Sequence, residues 1–386
     1  MNEKSSLCVR SLDVSQGTPF LQEAWDKIKQ ANPMSDFLLL DQPLTESVSL
    51  KGAATDTACV LNTQYNQVVS WSIPNERTIE DITSFNTKSS IPGPLNAVYR
   101  LSDKRATKVL FEQYDLPTPS WEILDREFTR GELIKGNERV ELECRLLNHL
   151  SFPLVVKPLW NCMGHGVEVI FNEEDLSVEL SKNGNQSILV EKFIDGDLGC
   201  IEIIGKPGSY FFQPPCLTGH SKGGAISNFD TIRVSHENLF KLSLSLEIKN
   251  KLINLLTSLQ FSGACCVDFI SNESGIYLLE INPRISGISC LSSAASGVNS
   301  FEATYLISTH QWGEDTKPEA NHLVGAIQLG GVSATKAIHY IRNSNSRLKV
   351  YRDNIITVDD YSSHSAIIGG DLCDIESLLL IIESLD

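Results

Sequence analysis

The chain has 386 residues, enough for a large core and two or three domains, and its hydrophobic fraction of 41% is typical of globular proteins. Its 48 acidic and 32 basic residues give a formal net charge of -16, which opposes binding to a polyphosphate backbone and argues against a nucleic-acid partner. No uncharged apolar run approaches the roughly 18 residues of a bilayer span, so no membrane association is expected.

The N-terminal segment and the cysteines indicate the compartment. Residues 1–17 lack the apolar stretch and small-residue cleavage site of a signal peptide, so a cytoplasmic protein is expected. None of the ten cysteines forms a C-x-x-C pair, and the adjacent Cys265 and Cys266 would point to opposite faces of a strand. Structural zinc and a disulfide framework are both disfavoured, and ten reduced thiols are expected.

The first elements predict an N-terminal α/β domain over residues 1–95. FLQEAWDKIKQA, from residue 20, is helix-like, and DFLLLD and TACVLNTQYNQVVSWSIP read as strands. The polar stretch SFNTKSSIPGPLNA, from residue 84, is rich in Pro, Gly and Ser and predicts the domain boundary.

The next elements alternate between helix and strand. LSDKRATKVLFEQYDLP, from residue 101, predicts an amphipathic helix with a Ser-Asp cap that stops at Pro117 before a strand. SFPLVVKPLW and QSILVEKFIDGD each contain a strand, and the glycine-bearing loop NCMGHGVEVI lies between them. Residues 205–231 are too polar and glycine-rich for continuous regular structure.

The C-terminal half predicts a helix, a hairpin and a mixed tail. A helix is expected over residues 236–259, followed by a β-hairpin over residues 263–282. Residues 290–309 are helix-like, and residues 320–386 read as a small mixed α/β unit.

The hairpin carries acidic side chains whose positions depend on its register. With a five-residue loop over 271–275, Asp268 lies opposite Leu278, and both side chains occupy one face of the sheet. In the same register Glu280 faces Cys266. The two carboxylates are then diagonal neighbours, about 7 to 8 Å apart at the backbone.

Alternation places Asp268, Glu280 and Asn282 together on that face. Two carboxylates and an amide oxygen are hard ligands that suit Mg²⁺ or Mn²⁺ ions bridging a nucleotide's phosphates. The alternative is a solvated hairpin face that ends in an Asn-Pro turn.

A second group of signals lies earlier in the chain. Lys157 ends the apolar strand PLVVKP, where an unpaired ammonium would be costly unless it met an anion. Gly164 and Gly166 follow in a loop whose N–H groups could close over phosphates, and the strand and turn ILVEKFIDGD could offer main-chain groups to an adenine. A snorkelling lysine and an ordinary turn are the alternatives, but the order of these pieces favours a nucleotide site.

With these pieces in this order, the chain resembles the ATP-grasp superfamily of carboxylate-amine ligases, and specifically the L-amino acid ligases. The most specific element is Asp268, a spacing of 12, and then Glu280-Ile-Asn282-Pro-Arg284-Ile-Ser-Gly287. The resemblance covers about residues 100–312 closely. It implies an ATP-grasp domain over 96–312, with a lid subdomain at about 120–192, between the N-terminal domain and a small C-terminal α/β domain over 313–386.

The resemblance also implies roles for individual residues. Asp268, Glu280 and Asn282 would hold Mg²⁺ on the phosphates of ATP, while Arg284 would face the transferred phosphate. Lys104 and Lys157 match the two lysines that contact these phosphates, and Lys108 is a weaker competitor for the first of these two roles. The other implied nucleotide contacts are Met163, Gly164, His165 and Gly166 in the covering loop and Glu191, Lys192, Phe193 and Ile194 beside the adenine, with the Glu191 C=O and the Ile194 N–H pairing with it.

The chain departs from the family pattern at two positions. The family's acidic ribose ligand falls on Leu198, so Asp197 is the substitute candidate. D-alanine:D-alanine ligases have an arginine where this chain has Cys266, which disfavours that activity, although Arg284 could supply the missing positive charge. In the loop before Arg233, Lys222 could contact the γ-phosphate and Arg233 a substrate carboxylate, and a solvated loop is the alternative.

The function implied is an ADP-forming carbon-nitrogen ligase that activates a carboxylate as an acyl phosphate and couples it to an amine. Amino acids are the favoured small-molecule substrates by analogy with family members of this size. A carboxylase or purine-pathway-type ligase is the alternative, and a catalytically inactive nucleotide-binding regulator is a third reading. A substrate bound to a carrier protein and a homodimeric assembly both stay open.

Overall fold

The computed structural model describes most of the chain from residue 94 onward and shorter pieces before it. The described residues are 6–11, 18–31, 38–40, 67–70, 94–125, 150–160, 166–182, 187–221, 232–240, 244–313, 324–358 and 361–384.

Three described N-terminal strands form a parallel sheet. These are β1 (Ser6–Ser11), β2 (Leu38–Leu40) and β3 (Gln67–Ser70), in the order β2-β1-β3. Helix α1 (Thr18–Ala31) runs between β1 and β2. Its apolar residues recur every three or four positions, so that Leu21, Ala24 and Ile28 are buried in one core with the helices that follow the hairpin. The predicted helix is confirmed, and the described parts of the two predicted strand stretches are the strands β2 and β3, while the rest of those stretches lies outside the described residues.

A four-stranded antiparallel sheet lies within residues 121–192. Its strands are β4 (Trp121–Leu124), β5 (Leu154–Pro158), β6 (Glu168–Ile170) and β7 (Ile188–Lys192), in the order β4-β7-β5-β6. Helix α4 (Glu173–Lys182) contributes Leu176 and Leu180 to the same small core as Leu154 and Val190. This sheet carries Lys157 on β5 and Glu191 on β7, and in the antiparallel pairing of these strands Glu191 lies opposite Val155 and Lys157 opposite Leu189.

Nine described strands form the main sheet, and all of their pairings are antiparallel. The order is β13-β12-β8-β10-β11-β14-β16-β15, with β9 on β8. The strands are β8 (Asp197–Lys206), β9 (Ser209–Phe212), β10 (Cys216–His220), β11 (Arg233–Ser235), β12 (Gly263–Asn272), β13 (Gly275–Asn282), β14 (Val324–Gly330), β15 (Lys349–Val358) and β16 (Tyr361–Asp371).

Two expectations about this part of the chain were wrong or incomplete. The prediction that residues 205–231 hold no continuous regular structure is incomplete, because the described part up to residue 220 contains the two short strands β9 and β10, which pair with β8. The C-terminal strands do not form a sheet of their own, since β14 pairs with β11 and continues the main sheet.

The other helices pack around this sheet. They are α2 (Leu95–Ser102), α3 (Lys104–Gln113), α5 (Leu246–Ser258), α6 (Ser289–Ser296), α7 (Ser300–Ser308), α8 (Gly331–Asn343) and α9 (Leu372–Ser384). The predicted helix over 236–259 is shorter, because Ser245 caps α5 by accepting from Ile248 N–H. Gly297, at φ +79, separates α6 from α7. None of the described helices has the length and apolarity needed to cross a bilayer.

A buried carboxylate fixes α6 and α7 to the sheet. Glu202 of β8 accepts hydrogen bonds from the hydroxyls of Ser289, Ser292 (3.3 Å) and Ser300 (2.5 Å). Burial raises the pKa of Glu202 above its ordinary value, and the three hydroxyls oppose this rise by stabilising the anion. These hydrogen bonds therefore hold α6 and α7, the helices that follow the Asn-Pro-Arg stretch, against β8.

A substitution at Gly199 of β8 tests the packing on the face of the sheet opposite to Glu202. A Cβ at this position would lie 2.3 Å from the ring of Phe269, which packs edge-on against Phe240. We expect Gly199→Ala to lower the free energy of unfolding by about 1–3 kcal/mol through overpacking, measured by urea unfolding. Gly313→Ala is the control, since nothing lies within 4 Å of its Cβ position. Equal stability of the two variants would contradict the packing described for β8.

Candidate active site

The hairpin of β12 and β13 has a different register from the predicted one. Its loop has two residues, Glu273 and Ser274, because Asn272 pairs with Gly275 and its side chain accepts from Ser274 N–H at 2.9 Å. A β-bulge follows, so that Asp268 lies directly opposite Glu280 instead of opposite Leu278.

Because of the bulge, Leu278 lies on the face of the sheet opposite to the predicted one. Leu278 pairs with Phe269 and is buried in the core on the far side of the sheet, away from Asp268. Cys266 lies opposite Asn282 and does not face Glu280. The expected convergence of the two carboxylates and the asparagine is present, and it is closer than the diagonal arrangement of the sequence-based register.

Asn282 joins the two carboxylates. Its Nδ2 donates to Asp268 Oδ2 at 2.8 Å and to Glu280 Oε1 at 3.1 Å. These groups fit a divalent cation, because two facing carboxylates and an amide supply the hard oxygen ligands that Mg²⁺ takes, and like charges this close repel without a counter-charge. Rotation of the amide by half a turn would present its oxygen to the same point.

The two carboxylates differ in electrostatic environment. Burial and the charge of Glu280 raise the pKa of Asp268 to about 7, against the opposing effect of Arg284. Burial alone would also raise the pKa of Glu280, but the charges of Lys104 and Lys157 lower it to about 2. Glu280 is therefore the permanent anion of the pair, and the lysines are its counter-ions.

Lys104 reaches this pair from the start of α3. Asp103 caps that helix by accepting from Ala106 N–H at 3.0 Å, and the Lys104 N–H bonds to Leu159 O at 3.4 Å, just beyond β5. Lys104 Nζ lies 3.2 Å from Glu280 Oε2. The cap thus fixes the helix whose first residue points an ammonium at the carboxylates.

A buried triad connects α3 to the small sheet. Glu191 lies 2.7 Å from Lys108 Nζ and 2.5 Å from Lys157 Nζ, and all three side chains are less than 8% exposed. Lys108 also donates to Thr118 Oγ1 at 2.6 Å. Burial lowers the pKa of Lys108 to about 8, although the charge of Glu191 opposes the shift.

The triad corrects the predicted role of Glu191 and adds one for Lys108. The main chain of Glu191 lies inside the sheet, opposite Trp121 of β4 and Val155 of β5, and so is directed at neighbouring strands instead of an adenine. Its side chain, to which the resemblance gave no role, is the shared counter-ion of two lysines. In the sequence alone, the one sign of this pairing is the presence of a Glu in an apolar strand.

The comparisons with known proteins identify one domain of the chain. A family model of the ATP-grasp domain matches residues 101–288, which carry all of the side chains described so far in this site. This chain contains an ATP-grasp domain.

The relatives and solved structures are similar to the chain at different levels. Carbamoyl-phosphate synthase of Methanobrevibacter smithii is 26% identical over 212 residues, which are 54% of this chain and 53% of that protein, so the chain spans about half the length of this relative. Two crystal structures share the fold. L-amino acid ligase of Bacillus licheniformis has a TM-score of 0.69 at 15% identity, covering 100% of this chain and 98% of that one. Carboxyaminoimidazole ribonucleotide synthase of Aspergillus clavatus, complexed with ATP, has a TM-score of 0.70 at 13% identity, covering 99% of each chain.

These matches confirm the ATP-grasp fold class, with an α/β N-terminal part and a mixed C-terminal part. Within the ATP-grasp domain, the structure brings together the six side chains predicted for phosphates and metal, namely Lys104, Lys157, Asp268, Glu280, Asn282 and Arg284. Their individual roles stay predictions. Lys222, Met163, Gly164 and His165 lie outside the described residues.

The predicted adenine segment follows β7. Lys192 is exposed and Phe193 and Ile194 are partly buried, while Asp197, the substitute ribose ligand, is exposed at the start of β8. Gly166 has φ +70, a left-handed conformation that favours glycine. Ser221, which the sequence did not single out, donates from its Oγ to Ile194 O at 2.8 Å and accepts from Gly196 N–H at 2.9 Å. It thereby ties this segment to β10.

Glu191→Gln tests the triad of the ATP-grasp domain. Loss of the shared anion leaves two buried ammonium groups without their charge partner, so we expect the free energy of unfolding to fall by about 3–5 kcal/mol. Urea unfolding followed by far-UV circular dichroism measures the change. Glu247→Gln is the control, because Glu247 pairs with Lys251 at an exposed site and its loss should leave stability unchanged. A stable Glu191→Gln variant would show that the triad carries no structural charge balance.

Proposed function

We propose that this chain is an ADP-forming carbon-nitrogen ligase that uses ATP to activate a carboxylate as an acyl phosphate and then couples it to an amine. The observation that carries the proposal is the convergence of Lys104, Lys157, Glu280 and Asp268 from four separate elements. The lysines are held by carboxylates in the described structure, so an incoming anion meets positive charge that is already in position.

The chain's own residues supply alignment and charge. In the proposed complex Lys104 and Lys157 hold phosphate oxygens, while Asp268, Glu280 and Asn282 are the residues that would hold Mg²⁺. Mg²⁺, when bound, neutralises the phosphates and orients them for in-line transfer. The positive charge of Arg284 is close enough to Asp268 to lower the pKa of that carboxyl. In the proposed complex the same charge lies beside the transferred phosphate. The carboxylate substrate attacks the γ-phosphate, ADP leaves, and the amine then displaces phosphate from the acyl phosphate.

The main chain beyond β7 supports the adenine assignment in part. The described residues provide no hydrogen-bond acceptor for the Ile194 N–H, whereas Lys192 N–H bonds to Ser120 O at 2.9 Å and Phe193 N–H bonds to Pro153 O at 3.0 Å. An adenine nitrogen would satisfy the remaining donor. The small sheet over residues 121–192 would then be the lid above the nucleotide.

Amino acids are the proposed substrates. The support is the similarity to an L-amino acid ligase over the full length of both chains. Cys266 stands where D-alanine:D-alanine ligases have an arginine, and Arg233 of β11 is a second guanidinium that acts electrostatically on Asp268, although β8 and β10 lie between β11 and β12. The identities of the acyl donor and of the amine depend on loops without a shared pattern.

A screen for ADP release tests the proposal. The purified full chain is incubated with MgATP and pairs of amino acids, with bicarbonate in place of the acyl donor in a parallel set, and products are identified by mass spectrometry. Release of ADP with amino-acid pairs and formation of an amide supports the ligase. Release with bicarbonate alone indicates the carboxylase alternative. Tight ATP binding without turnover across the panel would favour the inactive regulator.

Glu280→Gln tests the assignment of the phosphate and metal residues. The amide keeps the size of the side chain but removes the anion that faces Lys104, so we expect ADP release to fall more than about 100-fold while circular dichroism stays unchanged. Lys157→Ala should have the same effect on turnover. The matched control is Glu247→Gln, which removes a carboxylate far from the site and should turn over normally. Normal turnover of Glu280→Gln would remove this site from the mechanism.

A further inference from the structure

A cluster of thiols lies beside the carboxylates of the ATP-grasp domain. Cys200 of β8, Cys216 of β10 and Cys266 of β12 are buried. Cys200 lies opposite both Cys216 and Asp268 in the sheet, and Cys266 is two residues from Asp268 on the same strand. Alternation therefore directs all three thiols to the face that carries Asp268. Their separation along the chain hides this cluster from any C-x-x-C rule.

The distances within the cluster suit a metal ion. The ligand atoms of Cys200, Cys266 and Asp268 all lie within 4.8 Å of one another, and Cys266 Sγ is 3.5 Å from Asp268 Oδ1. Zn–S bonds of about 2.3 Å and Zn–O bonds of about 2.0 Å place two ligands of one tetrahedral zinc on the order of 3.5 Å apart. Cys216 pairs with Cys200 across the sheet and lies beside this group of three.

Asp268 faces two different sets of donors. Its Oδ2 accepts from Asn282 Nδ2 at 2.8 Å on the side of Glu280, whereas its Oδ1 faces the thiol of Cys266. One oxygen belongs to a hard, oxygen-rich set that suits Mg²⁺, and the other belongs to a soft, sulfur-rich set that suits Zn²⁺. Two divalent cations on the two oxygens of one carboxylate repel each other, so the two sets compete for Asp268.

We propose that Cys200, Cys266 and Asp268 form a site for a thiophilic divalent cation such as Zn²⁺, and that this ion and the magnesium nucleotide compete for Asp268. Each ligating thiol gives up its proton to solvent when the ion binds, and no oxidant takes part. The ion site is independent of the proposed function. Its antagonism towards MgATP rests on that function.

The charge balance of the cluster supports the site. Two thiolates, one carboxylate and Zn²⁺ leave one negative charge, which would be costly in a buried position. Arg233 lies on the same face and interacts electrostatically with Cys200, Cys216 and Asp268, so that its guanidinium offsets this charge.

Cys265 is the matched control on the same strand. It is as deeply buried as Cys266 and adjacent to it, but it lies in the core on the opposite face of the sheet. Cys265→Ala and Cys266→Ala thus each remove one buried thiol from β12, and the proposal predicts that their effects on metal binding differ.

Cobalt titration tests the ion site directly. The full chain, treated with chelator and kept reduced by a phosphine under nitrogen, is titrated with Co²⁺. We expect thiolate-to-cobalt absorption that saturates at one ion per chain and disappears on addition of Zn²⁺. Cys200→Ala and Cys266→Ala should weaken Zn²⁺ binding more than about tenfold, while Cys265→Ala should leave it unchanged. Cys266→Ser, which keeps the size and polarity of the side chain, replaces the alanine variant should that variant unfold.

A second measurement separates this proposal from the proposed function. Binding of a fluorescent ATP analogue with Mg²⁺ should weaken on addition of Zn²⁺ in the wild type and in Cys265→Ala, but not in Cys266→Ala. No thiolate absorption in the wild type, or equal absorption in Cys200→Ala and Cys266→Ala, overturns the ion site. Thiolate absorption in a chain that binds no nucleotide leaves the ion site standing and refutes the ligase. Simultaneous occupancy by Zn²⁺ and the Mg²⁺ nucleotide overturns the antagonism.

Discussion

The direct opposition of Asp268 and Glu280 is the constraint on which the site depends. A bulge in β13 places the two carboxylates face to face, and two like charges in a partly buried position are unfavourable without compensation. The compensation comes from lysines on other elements, with Lys104 on Glu280 and Lys157 close enough to lower the pKa of the same carboxylate. The two carboxylates and the two lysines therefore form one balanced set of charges, which is the feature that the proposed binding of a cation and phosphates rests on.

The same charges hold separate structural units together. Glu191 belongs to the four-stranded sheet, whereas Lys108 belongs to α3, which packs against the main sheet through β13. Their ion pair has almost no exposure, and its loss would leave buried charge on both sides. The small sheet is therefore linked to the hairpin of β12 and β13 by electrostatics as well as by the chain. In the proposed complex, a nucleotide between them would contact Lys157, which also pairs with Glu191.

The sequence predicted the residue types of the site better than their contacts. Local signals were sufficient for the Asp103 cap, the strand that ends at Lys157 and the alternation that groups Asp268 with Glu280 and Asn282. The register was wrong because a bulge has no sequence signature strong enough to compete with the choice of a longer loop. The shared counter-ion role of Glu191 was missed for another reason, since it depends on two lysines that are distant along the chain and meet only in the folded structure. The strands over 205–220 were missed because tertiary pairing with β8 outweighs a glycine-rich composition.

The pairing of β11 with β14 determines whether an edge of β11 is covered or open. β11 is three residues long and lies between β10 and β14, so one of its two borders is covered only by residues beyond 323. Removal of the C-terminal segment would expose a row of unsatisfied peptide groups next to Arg233, and such a row is a template for another copy of the chain. Residues 324–330 therefore cover an edge of β11 that would otherwise be open.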